Sequence, residues 1–410
     1  MQSYLMVRHI DWFSRMCGGR YGGTFTVRAF PWGTAVVVST PAAIRTVFTG
    51  DTDVWRAGDG YEVLRPLLGD GSVIVLDGAD HLRLRRRLLP PFHGDAVRRH
   101  EHLIEEVVHE EIAGWPVGEP FPIMERMQAI TLEVMLRAVI GAHEPARLDP
   151  LREAIRTAAR LSSLDLLMWL WPALQRFGPW RRLIAELDRA RALIREEIMR
   201  RRADPACGER LDVLSVLVAA GELDDDELLD QIGTLLLAGH DTTTTALAWT
   251  LERLVRHPAA LARARSDDRY LDAAIKETLR VRPVLPAVVR RLSQPAHLDG
   301  FDLPAGTIVM ASTRLVHLSP ELFPEPHRFM PERFLEARGA PYSWIPFGGG
   351  PRRCLGASFA SFHMRVVIGT VLTHVALRPD RAADEALRSD HITLMPGRGA
   401  RVVRMAPVAA

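Results

Sequence analysis

Apolar residues recur every three to four positions over most of the stretch from Ala96 to His257, and this spacing predicts a succession of amphipathic helices. The segments "EHLIEEVVHEEIAGW" and "LIAELDRARALIREEIMRRR" are the clearest cases. The pattern changes near the N-terminus. There, "TFTVRAF" and "AVVVS" flank "PWGT", two short β-prone runs around a turn signal, which predicts a hairpin. In "TPAAIRTVFTG" Thr40 can cap a helix, Pro41 suits its first position and Gly50 can end it. Beyond Arg282 proline and glycine become dense. "HLDGFDLPAGTIVMAS" reads as paired strands and "HLSPELFPEPHRFMPERF" as irregular, tethered chain. No repeat, low-complexity tract or linker interrupts the pattern. It predicts one domain over residues 1–410, mainly α with a minor β part near 21–60 and 283–315.

The longest periodic segment runs from about Asp224 to His257, on the order of 50 Å of helix at about 1.5 Å per residue. A helix of that length is expected to cross the core. Its centre, "LLLAGHDTTTTALAW", puts Gly239 mid-helix at a cost of about 1 kcal/mol relative to alanine, followed by four β-branched threonines. Ala238, Asp241, Thr242 and Ala246 fall on one face, where small residues and a hydroxyl beside a carboxylate could admit a bulky ligand. The competing reading is a buried helix whose threonines bond back to carbonyls four residues earlier and whose glycine lets a neighbour pack closely. His240 and Asp241 point in different directions on a helix, so they do not read as a metal pair.

Composition narrows the class. At 410 residues, with 47% hydrophobic and 25% charged positions, the chain has the profile of an ordinary globular protein, and a formal net charge of +2 is too small to imply nucleic acid as a partner. Cys17, Cys207 and Cys354 are odd in number and lack CxxC spacing, which fits neither a disulfide framework nor a cysteine-rich zinc site. Charges break the N-terminal stretch before any long apolar run, so no signal peptide or transmembrane anchor is expected, and the expected location is cytoplasmic.

Two constellations carry candidate chemistry. In "KETLR", Glu277 and Arg280 stand at i, i+3, with Arg333 of "PERF" further on; if that helix is buried, the pair needs extra partners and Arg333 could be one. "FGGGPRRCLG" holds Cys354. It lacks the lysine and hydroxyl of a phosphate loop, and Arg353 stands where a dinucleotide loop would want its third glycine. A catalytic cysteine would need a base, for which His81 and Arg85 supply the only notable neighbourhood. A thiolate ligand is the alternative. The amphipathic "LGASFASFHMRVV" would place Cys354 at a helix start, where the dipole favours thiolate. Gly348 to Gly350 would let the backbone turn and approach a flat ligand, Phe347 could cover the sulfur, and Arg352 could pair with an anionic substituent. These features together point to haem.

Five motifs, "HLRLR", "AGHDTT", "ETLR", "PERF" and "FGGGPRRCLG", occur in the order in which they appear in cytochromes P450, and the chain resembles that haem-thiolate monooxygenase family along nearly its whole length. The resemblance implies the P450 fold, with the long central helix over haem b. It implies Cys354 as axial thiolate, with His81, Arg85, Arg290 and Arg352 around the propionates, although Arg291 is adjacent to Arg290 and either could point inward. Phe347, Gly350 and Gly356 complete the cysteine loop. Ala238 and Gly239 would leave room for dioxygen, Asp241 and Thr242 would be the acid and alcohol of proton delivery, and Glu277, Arg280 and Arg333 would form a structural ion network. The "PERF" context is more like the subgroup with eukaryotic and fatty-acid-oxidising members.

The implied activity is insertion of one oxygen atom from O2 into a hydrophobic small molecule. Electrons would come from NAD(P)H through a separate ferredoxin and ferredoxin reductase, and the enzyme would be monomeric. A basic patch with Arg86, Arg87, Arg98, Arg99, Arg352 and Arg353 could dock the ferredoxin. Candidate substrate walls are Tyr61 to Ile74, the Trp-rich "LSSLDLLMWLWPAL", Leu235 to Thr243, Val284 to Val289, Thr393 and Leu394. The alternatives are a haem-thiolate isomerase, dehydratase or peroxygenase, and a non-catalytic haem sensor.

Overall fold

The computed structural model describes residues 10–30, 33–142, 144–159, 176, 178–336, 339–390 and 393–406. The Trp-rich stretch proposed as a substrate wall lies outside the described residues. Helices of eight residues or more among those described are α1 (Ile10–Tyr21), α2 (Pro41–Thr49), α3 (Gly78–Leu88), α4 (Glu101–Ala113), α5 (Ile123–Met135) and α6 (Pro145–Ala159). They continue with α7 (Gly178–Ala203), α8 (Val213–Ala220), α9 (Asp225–Arg256), α10 (Pro258–Ser266), α11 (Asp268–Val281) and α12 (Ala357–His374).

The predicted hairpin forms from β1 (Thr24–Ala29) and β2 (Gly33–Val38), paired from Thr24 opposite Val38 to Ala29 opposite Gly33. Thr40 accepts the Ala43 N–H at the start of α2, and Pro41 is its first residue. The sheet grows by strands far away in sequence. β8 (Ile308–Ala311) runs parallel to β2, β5 (Val288–Leu292) antiparallel to β8, and β3 (Trp55–Arg56) closes the edge. Side-chain alternation sends Val36 and Val38 into a cluster with Ile44, Val47 and Phe48 of α2, and Ala35 and Val37 into one with Phe25 and Val27. Both faces of β2 are thus covered. The strand pair expected between His297 and Ser312 divides: β6 (Ala296–Leu298) and β7 (Phe301–Leu303) make a hairpin, while β8 leaves for the larger sheet. β4 (Pro120–Pro122), β9 (Leu377–Pro379), β10 (Leu387–Asp390), β11 (Thr393–Pro396) and β12 (Arg401–Arg404) are three or four residues each. Alternation over so few positions gives no usable signal.

The long helix forms as the pattern predicts, 32 residues in α9. Asp224 and Glu227 make a reciprocal capping box at its start, Asp225 and Asp226 lie in the first turn, and Arg253 and Arg256 lie in the last. Each complements the dipole. Helix α9 packs against α5, α7, α11 and α12 and against β11, so most of its circumference is covered. α12 in turn lies on α4.

That packing traps His363 of α12. Its ring is 0% exposed, neither ring nitrogen has a partner, and Phe359 stands edge-on at 5.8 Å. Burial, with a smaller contribution from His100, lowers its pKa from 6.5 to about 3. Between those two values the unfolded chain holds a proton that the folded chain does not. Stability should therefore fall as pH drops from about 6.5 toward 3, by up to about 1.4 kcal/mol per pH unit for this one group. Urea midpoints measured at several pH values should show a shallower acid slope for His363→Leu than for the wild type. Equal slopes would remove His363 from the account.

Candidate functional site

The loop from Phe347 to Gly356 is shaped by two glycines in the left-handed region, Gly348 at φ 66° and Gly350 at φ 63°. The Cys354 N–H donates to the Phe347 carbonyl at 2.9 Å, and the Arg353 N–H to that of Gly350 at 3.1 Å, folding the loop back on itself. A Cβ on Gly349 would stand 2.5 Å from the Phe48 ring, and one on Gly350 would stand 1.8 Å from the Phe48 carbonyl oxygen. They are small so that the loop can lie on the end of α2. Phe347 is half-buried and meets Trp344 edge-on.

Cys354 also lies further from the helix than expected. Gly356 is the N-cap and α12 begins at Ala357, so only the Gly356 N–H, and not the helix terminus as a whole, reaches the sulfur. Burial raises the thiol pKa and outweighs the opposing effects of that N–H, Arg353 and Arg85. Cys354 nevertheless keeps an exposed surface, as does Arg353 before it.

Beside this loop, cations converge. His81 on α3 is 2% exposed with Nδ1 unpartnered, and burial, then Arg352, Arg85 and Arg290, lower its pKa to about 3. Register on β5 decides between the neighbouring arginines: Arg290 is buried and stacks over Phe48 at 5.8 Å, whereas Arg291 is half-buried on the other face. Arg352 donates to the carbonyls of Val73, at 3.2 Å, and Leu76, and to the Asp77 carboxylate. Burial lowers its pKa to about 10. Asp77 carries no signal in the sequence beyond its place before a helix, and its role emerges only from contacts 275 residues away.

At mid-length α9 opens briefly. Ala238 is exposed and Asp241 and Thr242 are half-buried, whereas Ala246, on the same face, is covered. The Thr242 hydroxyl donates to the Ala238 carbonyl at 2.7 Å, and the Thr393 hydroxyl of β11 lies 3.4 Å from Asp241 Oδ2. The back-bonding reading thus holds for Thr242 but not for Thr244 or Thr245, whose buried hydroxyls lack partners. At Gly239 a Cβ would meet Met135 at 2.6 Å, so the missing side chain admits α5. Leu394 is fully buried, and its carbonyl accepts from Trp249 Nε1 at 2.8 Å, anchoring β11 to α9.

Glu277 and Arg280 are both 0% exposed and joined by two bonds of 2.7 Å. Arg280 also reaches the carbonyls of His317 and Pro326, at 2.8 and 2.7 Å, and Arg333 Nε stands 3.4 Å from Glu277. Removing one member would leave a buried charge at a cost of roughly 3–5 kcal/mol. On the surface, Arg86, Arg98, Arg99 and Arg353 are exposed, while Arg87 is bonded to Glu222 at 2.7 Å and Arg98 to Asp95.

These residues fit haem. An exposed sulfur on a glycine-shaped loop, and an orphaned imidazole whose charge environment is set by Arg85, Arg290 and Arg352, match a planar group with two anionic arms. A separate cleft of about 390 Å3, walled by Glu125, Glu153, Arg156 and His240, shares none of them. His240 belongs to that cleft and Asp241 to the β11 contact, so the two do not converge. Among the described residues no group of three or more His, Cys, Asp and Glu could hold a metal ion.

The family model for cytochrome P450 matches residues 5–400. The chain is 43% identical over 418 aligned residues to "Putative cytochrome P450 135B1" of Mycobacterium tuberculosis, covering 98% of this chain and 89% of that protein. It is 38% identical to "Putative cytochrome P450 138" of the same organism, covering 94% and 89%. Among solved structures, "Retinoic acid bound cyanobacterial CYP120A1" superposes with a TM-score of 0.83 at 25% identity, covering 97% of this chain and 95% of that one.

The loop geometry separates two motif glycines. Gly350→Ala combines a left-handed φ with a clash against backbone, and should prevent stable folding or lower the urea midpoint severely. Gly356→Ala meets nothing within 4 Å, and stability should stay within about 0.5 kcal/mol of wild type. Equal effects at both positions would contradict the packing of the loop on Phe48.

Proposed function

The chain belongs to the cytochrome P450 family, and from that premise we propose a soluble, cytoplasmic, monomeric bacterial enzyme. Its whole length would form a single P450 domain that hydroxylates or epoxidises a hydrophobic small molecule. As a P450 it is a haem-thiolate monooxygenase that uses O2, a substrate and redox partners. The finer assignment is haem b as the cofactor, with electrons passed from NAD(P)H through a separate ferredoxin reductase and ferredoxin. The observation that carries the reading is Cys354, an exposed thiol on a tightly pinned loop within reach of the charges of Arg85 and Arg353.

When bound, thiolate-ligated haem supplies the oxygen chemistry, by which one atom of O2 enters the substrate and the other leaves as water with two electrons and two protons. The chain's own residues would do the rest. Arg85, Arg290 and Arg352 are buried or half-buried cations, suited to pairing with carboxylate arms, and His81 Nδ1 can add a hydrogen bond. Asp241, held near Thr393, would take up protons, and the Thr242 hydroxyl would pass them into the pocket while its bond to Ala238 fixes its orientation. The half-buried run Val284 to Val288 and Ala238 would present an apolar wall to the substrate. An elongated apolar ligand is supported by the retinoic acid named in the cyanobacterial structure. Among the described residues no helix is long and apolar enough to cross a membrane. The exposed Arg86, Arg98, Arg99 and Arg353 suit an acidic ferredoxin.

The dithionite-reduced protein under carbon monoxide should show a strongly red-shifted Soret band that Cys354→Ser abolishes. A band that survives the substitution would overturn the assignment of the sulfur. Thr242→Ala should keep haem content while a larger share of the electrons consumed is released as hydrogen peroxide. Unchanged coupling of NAD(P)H use to product would remove Thr242 from proton delivery.

A further inference from the structure

Asp77 occupies the N-cap of α3, where an aspartate side chain ordinarily accepts a hydrogen bond from the first turn. It makes no such bond. Its Oδ1 instead accepts the N–H groups of Ala57 and Gly58, both at 2.9 Å, and its Oδ2 accepts that of Asp59 at 3.0 Å. Arg352 donates to Oδ1, and Arg56 Nε lies 3.7 Å from Oδ2. The carboxylate is 3% exposed. Gly58 makes the arrangement possible, because a Cβ there would stand 2.3 Å from the Val75 carbonyl oxygen and 2.8 Å from Asp77 Oδ2.

The contacts join three segments that the sequence separates. The backbone of 57–59 follows β3, α3 carries His81 and Arg85, and Arg352 precedes Cys354 by two residues. Arg352 has its guanidinium turned to the 73–77 segment by the Val73 and Leu76 carbonyls as well. Asp77 is also the carboxylate whose charge reaches both Arg290 and Arg352. We propose that Asp77 is a positioning residue for the haem site: it holds Arg352, and through it the Cys354 loop, against α3, and it offsets one charge of the cation cluster. This rests on the haem-thiolate reading of the same site. A partner behind a ligand-bearing element orients it and tunes the charge felt by the bound group.

The test uses purified holoenzyme, as wild type and as Asp77→Asn, Asp77→Ser and Asp77→Glu. Asn keeps the shape without the charge; Ser can resume the capping bond of α3, which guards folding. Glu restores the charge at a longer reach. Removing the carboxylate should move the ferric/ferrous midpoint potential to more positive values in both Asn and Ser variants, because the oxidised, more positive state loses a stabilising anion. Haem transfer to apomyoglobin should become roughly tenfold faster or more, and Glu should return both quantities toward wild type. Asn and Ser variants at the wild-type potential and transfer rate would sink the role of Asp77 while the wild-type carbon monoxide band stands. A wild type without the red-shifted band would sink the haem-thiolate reading, and this inference with it.

Discussion

The buried pairing of Arg352 with Asp77 is the interaction on which the site depends. Their side chains are 9% and 3% exposed, so the guanidinium and the carboxylate have each given up most of their water. Such a pair is stable only if its remaining donors and acceptors are used. Most of them are: Arg352 spends two further bonds on carbonyls of the 73–77 segment, and Asp77 accepts three backbone N–H groups. The Cys354 loop is thus tied to one wall by charge and to another by shape, since Gly349 and Gly350 have Phe48 against them.

The long helix trades local propensity for surface. Glycine and four threonines in succession are poor helix formers, yet α9 stays continuous because its ends are well capped and four helices cover it. Tertiary packing outweighs propensity. The middle of the helix can then expose Ala238 and part of Thr242 without fraying, which an isolated helix of this composition would not do. Gly239 takes part by letting Met135 of α5 approach. The same close packing that stabilises the helix holds Asp241 near β11.

Much was legible in the chain. The 32-residue helix could be bounded to within a residue because its period is sustained and its caps, Asp224 with Glu227, are strong signals. The β1–β2 hairpin and the start of α2 were equally clear. The strands β9 to β12 were not, being too short for alternation to separate strand from loop. Glu277 and Arg280 could be seen as a pair, but whether they were a solvated surface contact or a fully buried one depended on what packs over α11.

By itself, the sequence determined the residue types available at the sulfur loop, the long helix and the ion pair, together with the family to which their order belongs. Local spacing suffices for that, because motif and period are properties of neighbouring residues. Only the tertiary structure decided which way those residues face. Strand register turned Arg290 inward and Arg291 away; burial set itself against the N–H and arginines that favour ionising Cys354; and chain segments far apart in sequence brought Asp77 to Arg352 and Thr393 to Asp241. Direction, solvation and long-range contact are set by packing, and packing is the sum of interactions that no short stretch of chain contains.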